Sequence, residues 1–437
     1  MREMGEKTFY NCGFFIFPLR VTQPDKLKSY LAAQDSWACV DSQFHTQYLL
    51  HYAPGVDSAQ DDRLRIFQYT QAQELPLYLF GETIRKRFKS RKINDYHAVS
   101  PVLQTITLYW FGTNVAFLEF HMRYDGMDAQ EIAEFTFLFR SLRNNESGLE
   151  EFPEDKISPE TAIGRILPQE QSGTVLCFHN LSRLKRQGNI LTFLKTRPWK
   201  FDQEENEYYA YLLAHGYHIG FSDKAATDTP YEINRRFGTD TFWGGSQDGL
   251  ACVVEEPHSF QYRRLCCDYH ALYLLLLNQR FASVAYIEAF ARQDVGLQEA
   301  NNLHDGVVSL KTRYAFRVIS DDRHMQTIYS DMYRILELDN LVQDLEDVND
   351  QLSVLRHARR QEQEERRQER ERKIGSLLGA LSVFAIFSAL IDFADFMDRF
   401  RQAVTLHSII SLVITAGILL TAAIIILFWK GNKSDRT

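Results

Sequence analysis

Two uncharged runs near the C-terminus constrain this chain more than any other feature. The first is IGSLLGALSVFAIFSALI, Ile374 to Ile391, and the second is SIISLVITAGILLTAAIIILFW, Ser408 to Trp429. A helix needs about 20 apolar residues to cross the hydrocarbon of a bilayer. The second run meets that length. The first meets it when the segment FADF, 393–396, extends it and Asp392 sits at the interface. A buried helical hairpin is the competing reading, and length and apolarity weigh against it. Three aspartates, Asp392, Asp395 and Asp398, follow the first run at a spacing of three.

Lys and Arg bias gives the orientation. The stretch RHARRQEQEERRQERERK, Arg356 to Lys373, carries eight basic residues, and Lys430, Lys433 and Arg436 follow the second run. The connection between the runs holds Arg399 and Arg401 against the three aspartates. Both outer flanks are the more basic, so both termini are expected in the cytosol and the short connection outside, with Trp429 as an interfacial anchor. The start MREMGEKTFY lacks the apolar core of a signal peptide. A formal net charge of −8 over 437 residues argues against direct nucleic-acid binding. The six cysteines are scattered without metal-ligand spacing and read as a buried, reduced set.

Upstream, Leu338, Leu341, Leu345, Val348, Leu352 and Leu355 alternate steps of three and four. That is an a/d seam at period 3.5, which Ile328, Met332 and Ile335 continue backwards. No Pro or Gly interrupts the chain from there to Gly375. The pattern predicts one helix from roughly Asp321 through the first span, on the order of 100 Å long. A solvated charged linker is the alternative.

The residues before the stalk predict an α+β domain. KTFYNCGFFIFPLR reads as a strand ending at Pro18. Thr105 to Tyr124 reads as a hairpin turning at Gly112-Thr113-Asn114, followed by a helix with Asp128 as N-cap. GTVLCFH and NILTFLK are strand candidates, and TDTFWGGSQDGLACVVEEP is a second hairpin. After Pro257 the pattern turns helical. His270, in that apolar run, reads as a core histidine, and His215 and His218 flank a helix end at Gly216. Walker, GxSxG, HExxH and GxGxxG motifs are missing from the sequence, so an enzyme is not expected.

On the first span Gly375, Gly379, Ser382, Ala385, Ala389 and Asp392 recur at steps of three and four, a narrow face of small or polar residues. Such a face suits close helix packing. On the residues alone, the aspartates read as interfacial charges closing a span.

The order of α/β domain, helices, long stalk, two closely spaced spans and short basic tail resembles the CorA-like family of two-span metal-ion transporters. The resemblance is best over Ser259 to Thr437, including FRVISDDRHMQTIYSDMYRILELDNLVQDLEDVNDQL. It implies a homo-oligomer, a pentamer, in the bacterial inner (cell) membrane. It also implies a first span lining the pore and a divalent cation such as Mg2+ as cargo. The family's Gly-Met-Asn signature is missing, its place taken by IDFADFMDRF, which puts ordinary magnesium selectivity in doubt. In such a ring Gly375, Gly379, Ser382, Ala389, Asp392 and Asp395 would form the ion pathway, with Asp392 as a carboxylate ring at the outer mouth. Phe384 and Phe387 read as lipid-facing bulk or, as the alternative, a hydrophobic gate. The family further implies a cytosolic metal site. The stalk offers Glu337, Asp339, Asp344, Glu346, Asp347 and Asp350, none of which matches a family ligand.

Two basic clusters stand out in an acidic chain: Arg85, Lys86, Arg87, Lys89, Arg91 and Lys92, and the stretch 183–200 with Lys185 and Arg186. They read as a solvated face or as a site for a phosphate-bearing ligand or anionic lipid. Some relatives lacking the Gly-Met-Asn signature are associated with CRISPR defence as membrane effectors switched by a nucleotide second messenger. The expected division is therefore a cytosolic α/β domain over 1–257, its helical part over 258–320 and a stalk over 321–373. A first span over 374–396, an external loop over 397–407, a second span over 408–429 and a tail over 430–437 complete it. The expected function is a cation channel or transporter gated by a cytosolic ligand. The alternatives are an antiviral membrane effector opened by a nucleotide second messenger and a membrane-tethered scaffold without a pore.

Overall fold

The computed structural model describes residues 10–21, 24–40, 64–79, 100–140, 156–167, 176–177, 187–219, 233–237, 240–256, 264–291, 297–402 and 413–419. Its strands are β1 (Cys12–Val21), β2 (Trp37–Val40), β3 (Arg65–Tyr69), β4 (Val102–Trp110), β5 (Val115–Arg123), β6 (Leu176–Cys177), β7 (Asn189–Lys195), β8 (Ile233–Phe237), β9 (Thr241–Gly245) and β10 (Gly249–Val254). They form one sheet in the order β2-β3-β4-β5-β1-β7-β10-β9-β8, with β6 also pairing β1. Neighbours run antiparallel except β7 and β10, which are parallel.

β1 shows why the sheet sits in the middle. Phe15, Phe17, Leu19 and Val21 enter one core, and Cys12, Phe14 and Ile16 enter another. Side chains alternate faces at period two. Both faces are covered, so the strand is apolar except for Arg20, which is buried and pairs with Glu288. The first core is closed by α1 (Pro24–Ala33), α2 (Ala129–Arg140), α3 (Pro159–Ile166) and α4 (Gln203–His215). The second is closed by α5 (His270–Phe290), α6 (Leu297–Arg313), α7 (Arg323–Ile335) and the beginning of α8 (Leu338–Gln402). The result is an α+β domain of three layers.

Local chemistry sets the helix ends. Asp128 accepts from the Glu131 N–H at 2.9 Å, and the Asp128 N–H donates to Glu131 Oε2 at 2.9 Å, a reciprocal cap for α2. Asp202 and Glu205 do the same for α4, which ends at Gly216 with φ 56. That left-handed turn favours glycine. α5 is buried along most of its circumference because the sheet lies on one side and other helices on the other. A π-helical turn, Arg264–Tyr269, leads into it.

Several expectations are corrected. β1 does not end at Pro18. It runs to Val21: Pro18 pairs with Phe117 of β5 on one side, and on the other it lies between the residues that pair with β7 and those that pair with β6, where no described residue pairs with it. The long helix does not begin near Asp321. α7 stops at Ile335, and Glu337 takes φ 55 before α8 starts. The Glu337 N–H donates to Arg334 O at 3.0 Å, so the left-handed residue closes α7 as a C-terminal cap does. Leu338, Leu345, Val348 and Leu352 are buried, packed in clusters with residues of α5 and α6.

The chain divides into two compact units, 1–356 and 357–437, so the boundary falls inside the stretch 321–373 expected as one stalk. α8 stays helical to Gln402, past the point, 397, where the external loop was expected to begin. Of the second apolar run only 413–419 is described, and it is helical.

Candidate functional site

Between Ile374 and Ile391, α8 spans about 27 Å at 1.5 Å per residue, close to the ~30 Å hydrocarbon thickness of a bilayer. Among the described residues α8 is the one helix long and apolar enough to cross a membrane. Leu377, Leu381, Phe384, Phe387 and Ile391 are all exposed, at 56–75% of their surface. Gly375, Gly379, Ser382, Ala389, Asp392 and Asp395 are exposed as well. A Cβ placed on Gly375 or Gly379 would meet nothing within 4 Å. The Ser382 hydroxyl donates back to Leu378 O at 2.8 Å, which satisfies it within the helix.

Helical geometry separates these residues into two groups. At about 100° per residue, Gly375, Gly379, Ser382 and Ala389 fall within about 80° of one another. Asp392 lies about 60° beyond Ala389, and Asp395 about 60° further round. Asp392 therefore points about 100° away from the middle of the small face, and Asp395 about 160° away. A regular helix with carboxylates every three residues spirals them away from any one face.

The candidate ligand-binding residues Arg85, Lys86, Arg87, Lys89, Arg91, Lys92, Lys185 and Arg186 lie outside the described residues. Of the stalk carboxylates, Glu346 pairs with Lys311 at 2.7 Å, which holds its carboxyl below the usual range, and Asp339 pairs with Arg317 at 3.3 Å. Both contacts tie α8 to the chain just before it in sequence. Among the described residues no cluster of three His, Cys, Asp or Glu could hold a metal ion. Cys12 and Cys252 are buried and Cys266 and Cys267 partly so, but Cys39 is exposed, so the expectation of a wholly buried set fails at the short strand β2.

Sequence reasoning missed two features. The first is a carboxylate–imidazole pair in the second core. Glu119 on β5 and His270 at the start of α5 approach to 2.5 Å, both almost fully buried, and Tyr109 donates to Glu119 Oε1 at 3.3 Å. The Phe14 ring lies between His270 and His121, with centroids 4.4 Å from each. Burial, then the charges of His270 and Arg123, push the His121 pKa down to about 3. This pair joins β5 of the sheet to α5. Its residues are 151 apart, and nothing in the local sequence signals the meeting.

The second is an open pocket of about 290 Å³ beside the first turn of α7. Trp243, Tyr269 and Phe237 supply aromatic surface, and Asp240, Arg264 and His324 supply polar groups. Arg264 pairs with Asp322 at 2.9 Å and lies over the Tyr269 ring at 5.9 Å. Asp322 also caps α7, accepting from the His324 and Met325 N–H groups at 3.0 and 2.9 Å. Burial raises the Asp322 pKa, but these hydrogen bonds and Arg264 outweigh it and hold the carboxyl below its ordinary value. Burial pushes the Cys252 thiol and the Tyr269 hydroxyl up, so both are neutral in the pocket wall.

Compared with protein-family models, with curated proteins and with solved structures, the chain matches none.

Proposed function

We propose that this chain is an oligomeric membrane channel or transporter for cations, of CorA-like type, gated by ligand binding to its N-terminal domain. One observation carries the reading. α8 holds an uncharged stretch, 374–391, whose large apolar side chains are all exposed, and its first charge thereafter is Asp392. Exposed apolar surface of that extent calls for lipid or further copies of the chain. The small-residue face suits helix-to-helix packing in a ring, a pentamer in the family it resembles. Asp392, about 60° beyond the Ala389 edge of that face, would concentrate cations at the mouth, and Asp395, turned about 120° from Ala389, would add only diffuse negative potential. Both termini would lie in the cytosol of a bacterial cell, and a divalent cation such as Mg2+ is one candidate cargo.

Flux in liposomes holding the purified protein tests the proposal, with magnesium and potassium compared. Asp392→Asn is expected to cut cation flux about tenfold, the equivalent of ~1.4 kcal/mol. That lies within the ~1–4 kcal/mol that a unit charge 4 Å away supplies between bulk water and a near-surface dielectric. Flux that is unchanged in Asp392→Asn would remove this carboxylate from the pathway. Failure of the native protein to conduct any ion, with or without nucleotide extracts, would leave a membrane-tethered scaffold as the better reading.

A further inference from the structure

We propose that α8 binds a second copy of this chain through residues 359–373, the basic side of one helix lying against the acidic side of its neighbour. The chain there repeats every seven residues: RRQEQEE, 359–365, is followed by RRQERER, 366–372, and then by Lys373. The repeat keeps the phase of the leucine seam. Leu338, Leu345 and Leu352 stand seven apart, and Arg359, Arg366 and Lys373 continue their row. Leu341, Val348 and Leu355 form the other row, and Glu362 and Glu369 continue it. The seam therefore does not stop at Leu355 but changes from apolar contact to charge. Charges repeating every seven residues are what helices lying side by side use to pair with one another.

Helical geometry sorts the two signs onto opposite sides. At about 100° per residue, Arg359, Arg360, Arg366, Arg367, Arg370 and Lys373 fall within an arc of about 140°. Glu362, Glu364, Glu365, Glu369 and Glu371 occupy the other side, over about 180°, with Arg372 among them. Ion pairs within the helix neutralise only the borders between the two. Arg359 and Arg366 reach Glu362 at 3.3 and 2.5 Å, and Arg367 reaches Glu371 at 3.2 Å. Arg370 and Glu365 are exposed and make no ion pair among the described residues. The residues three and four away from Arg370 are Arg366, Arg367, Lys373 and Ile374. Those around Glu365 are Gln361, Glu362, Gln368 and Glu369. Like charges at these spacings destabilise an isolated helix. The arrangement is unfavourable within one helix and favourable where a basic side meets an acidic one.

Charge also selects the kind of contact. A two-fold axis sets the residues at the centre of a contact against their own copies, which on either charged side means like against like. Head-to-tail contact brings basic to acidic, and copies repeating it around one axis close into a ring. Arg370 of each copy then lies against Glu365 and Glu369 of the next. The proposal rests on the reading above in taking the neighbour to be a copy that crosses the same bilayer.

Cysteine cross-linking of the full-length protein in phosphatidylcholine bilayers tests the contact. Gln361 and Gln363 are uncharged and stand on the acidic and basic sides, about 160° apart and about 3 Å apart in height. Under mild oxidation the Gln361→Cys/Gln363→Cys chain is expected to give a ladder of disulfide-linked multimers. Either substitution alone is expected to give no linkage beyond that of the native chain. Charge reversal is the second arm. Glu365→Arg and Arg370→Glu, each added to the double-cysteine chain, are expected to cut the linked fraction about tenfold. Both reversals in one chain are expected to restore it. A rod that is merely solvated gives the opposite result, because each reversal relieves like charges within its own helix and leaves linkage unchanged. The proposal is overturned if the inserted protein gives no ladder, if the single cysteines link as well as the pair, or if the reversals change nothing. It is also overturned if the ladder is lost when phosphatidylglycerol replaces phosphatidylcholine, which assigns the basic side to lipid headgroups. A ladder without ion flux keeps the contact and removes the channel. Flux that responds to Asp392→Asn without a ladder keeps the channel and removes the contact.

Discussion

α8 carries two apolar stretches with opposite fates. In the first unit, Leu338, Leu345, Val348 and Leu352 are 0–8% exposed, covered by α5 and α6 of the same chain. Further along, Leu377, Leu381, Phe384 and Phe387 are 56–75% exposed. The two differ in pattern as well as in burial. The first is a narrow seam between charged residues, wide enough to seat one helix face against neighbours. The second is apolar around the whole circumference, which no single neighbouring face can cover. Periodicity tells whether a helix has one apolar side, and only the packing tells what meets that side.

Truncation separates the two stretches most sharply. Leu352→Ala is expected to cost about 2–5 kcal/mol, because a buried leucine leaves both lost transfer energy and a cavity. Leu381→Ala is expected to change stability in detergent by less than about 0.5 kcal/mol, as surface substitutions do. Chemical denaturation of each variant checks this. Equal effects would break the comparison. Leu381→Arg is the complementary change. A charged residue at the centre of a span costs about 2.5–3.5 kcal/mol of insertion, so the variant is expected to shift from the membrane to the soluble fraction of cells.

A smaller effect comes from within the first unit. His121 titrates near 3 in the folded protein against 6.5 for a free imidazole. A depressed folded pKa gives stability that is fully present above pH 6.5 and is lost as pH falls from there toward 3. His121 is partly exposed, and solvent screens part of the effect, so the loss is expected to be on the order of 2 kcal/mol. His121→Phe should flatten the pH dependence of the melting temperature across that window. The smallest change expected is at the break between α7 and α8. Glu337→Gly relieves a left-handed backbone that costs a residue with a Cβ roughly 1 kcal/mol. The melting temperature should rise slightly. A fall would show that the Glu337 side chain outweighs the strain.

Much of the layout was legible in the residues. The two hairpins, the helix capped by Asp128 and the helix end at Gly216 all carry local signals: β-branched runs around Gly, a reciprocal Asp-x-x-Glu cap, a glycine after the last turn. The sheet order was not legible, because β7 and β10 pair across an intervening helix and two further strands. The Glu337 break carried no signal, since glutamate is a good helix former and only the surrounding packing holds it left-handed. The pocket was equally silent. Phe237, Trp243, Tyr269 and His324 come from four separate elements, and each reads singly as core or surface.

By itself, the sequence determined the apolar run of α8, its charged flanks and the carboxylates after it, because a helix buries or exposes such a run according to composition and length. Tertiary structure decided which copy of which face covers the leucine seam. The a/d spacing is satisfied equally by a partner chain or by α5 and α6, and the shorter loop closure within one chain brings the intrachain helices there.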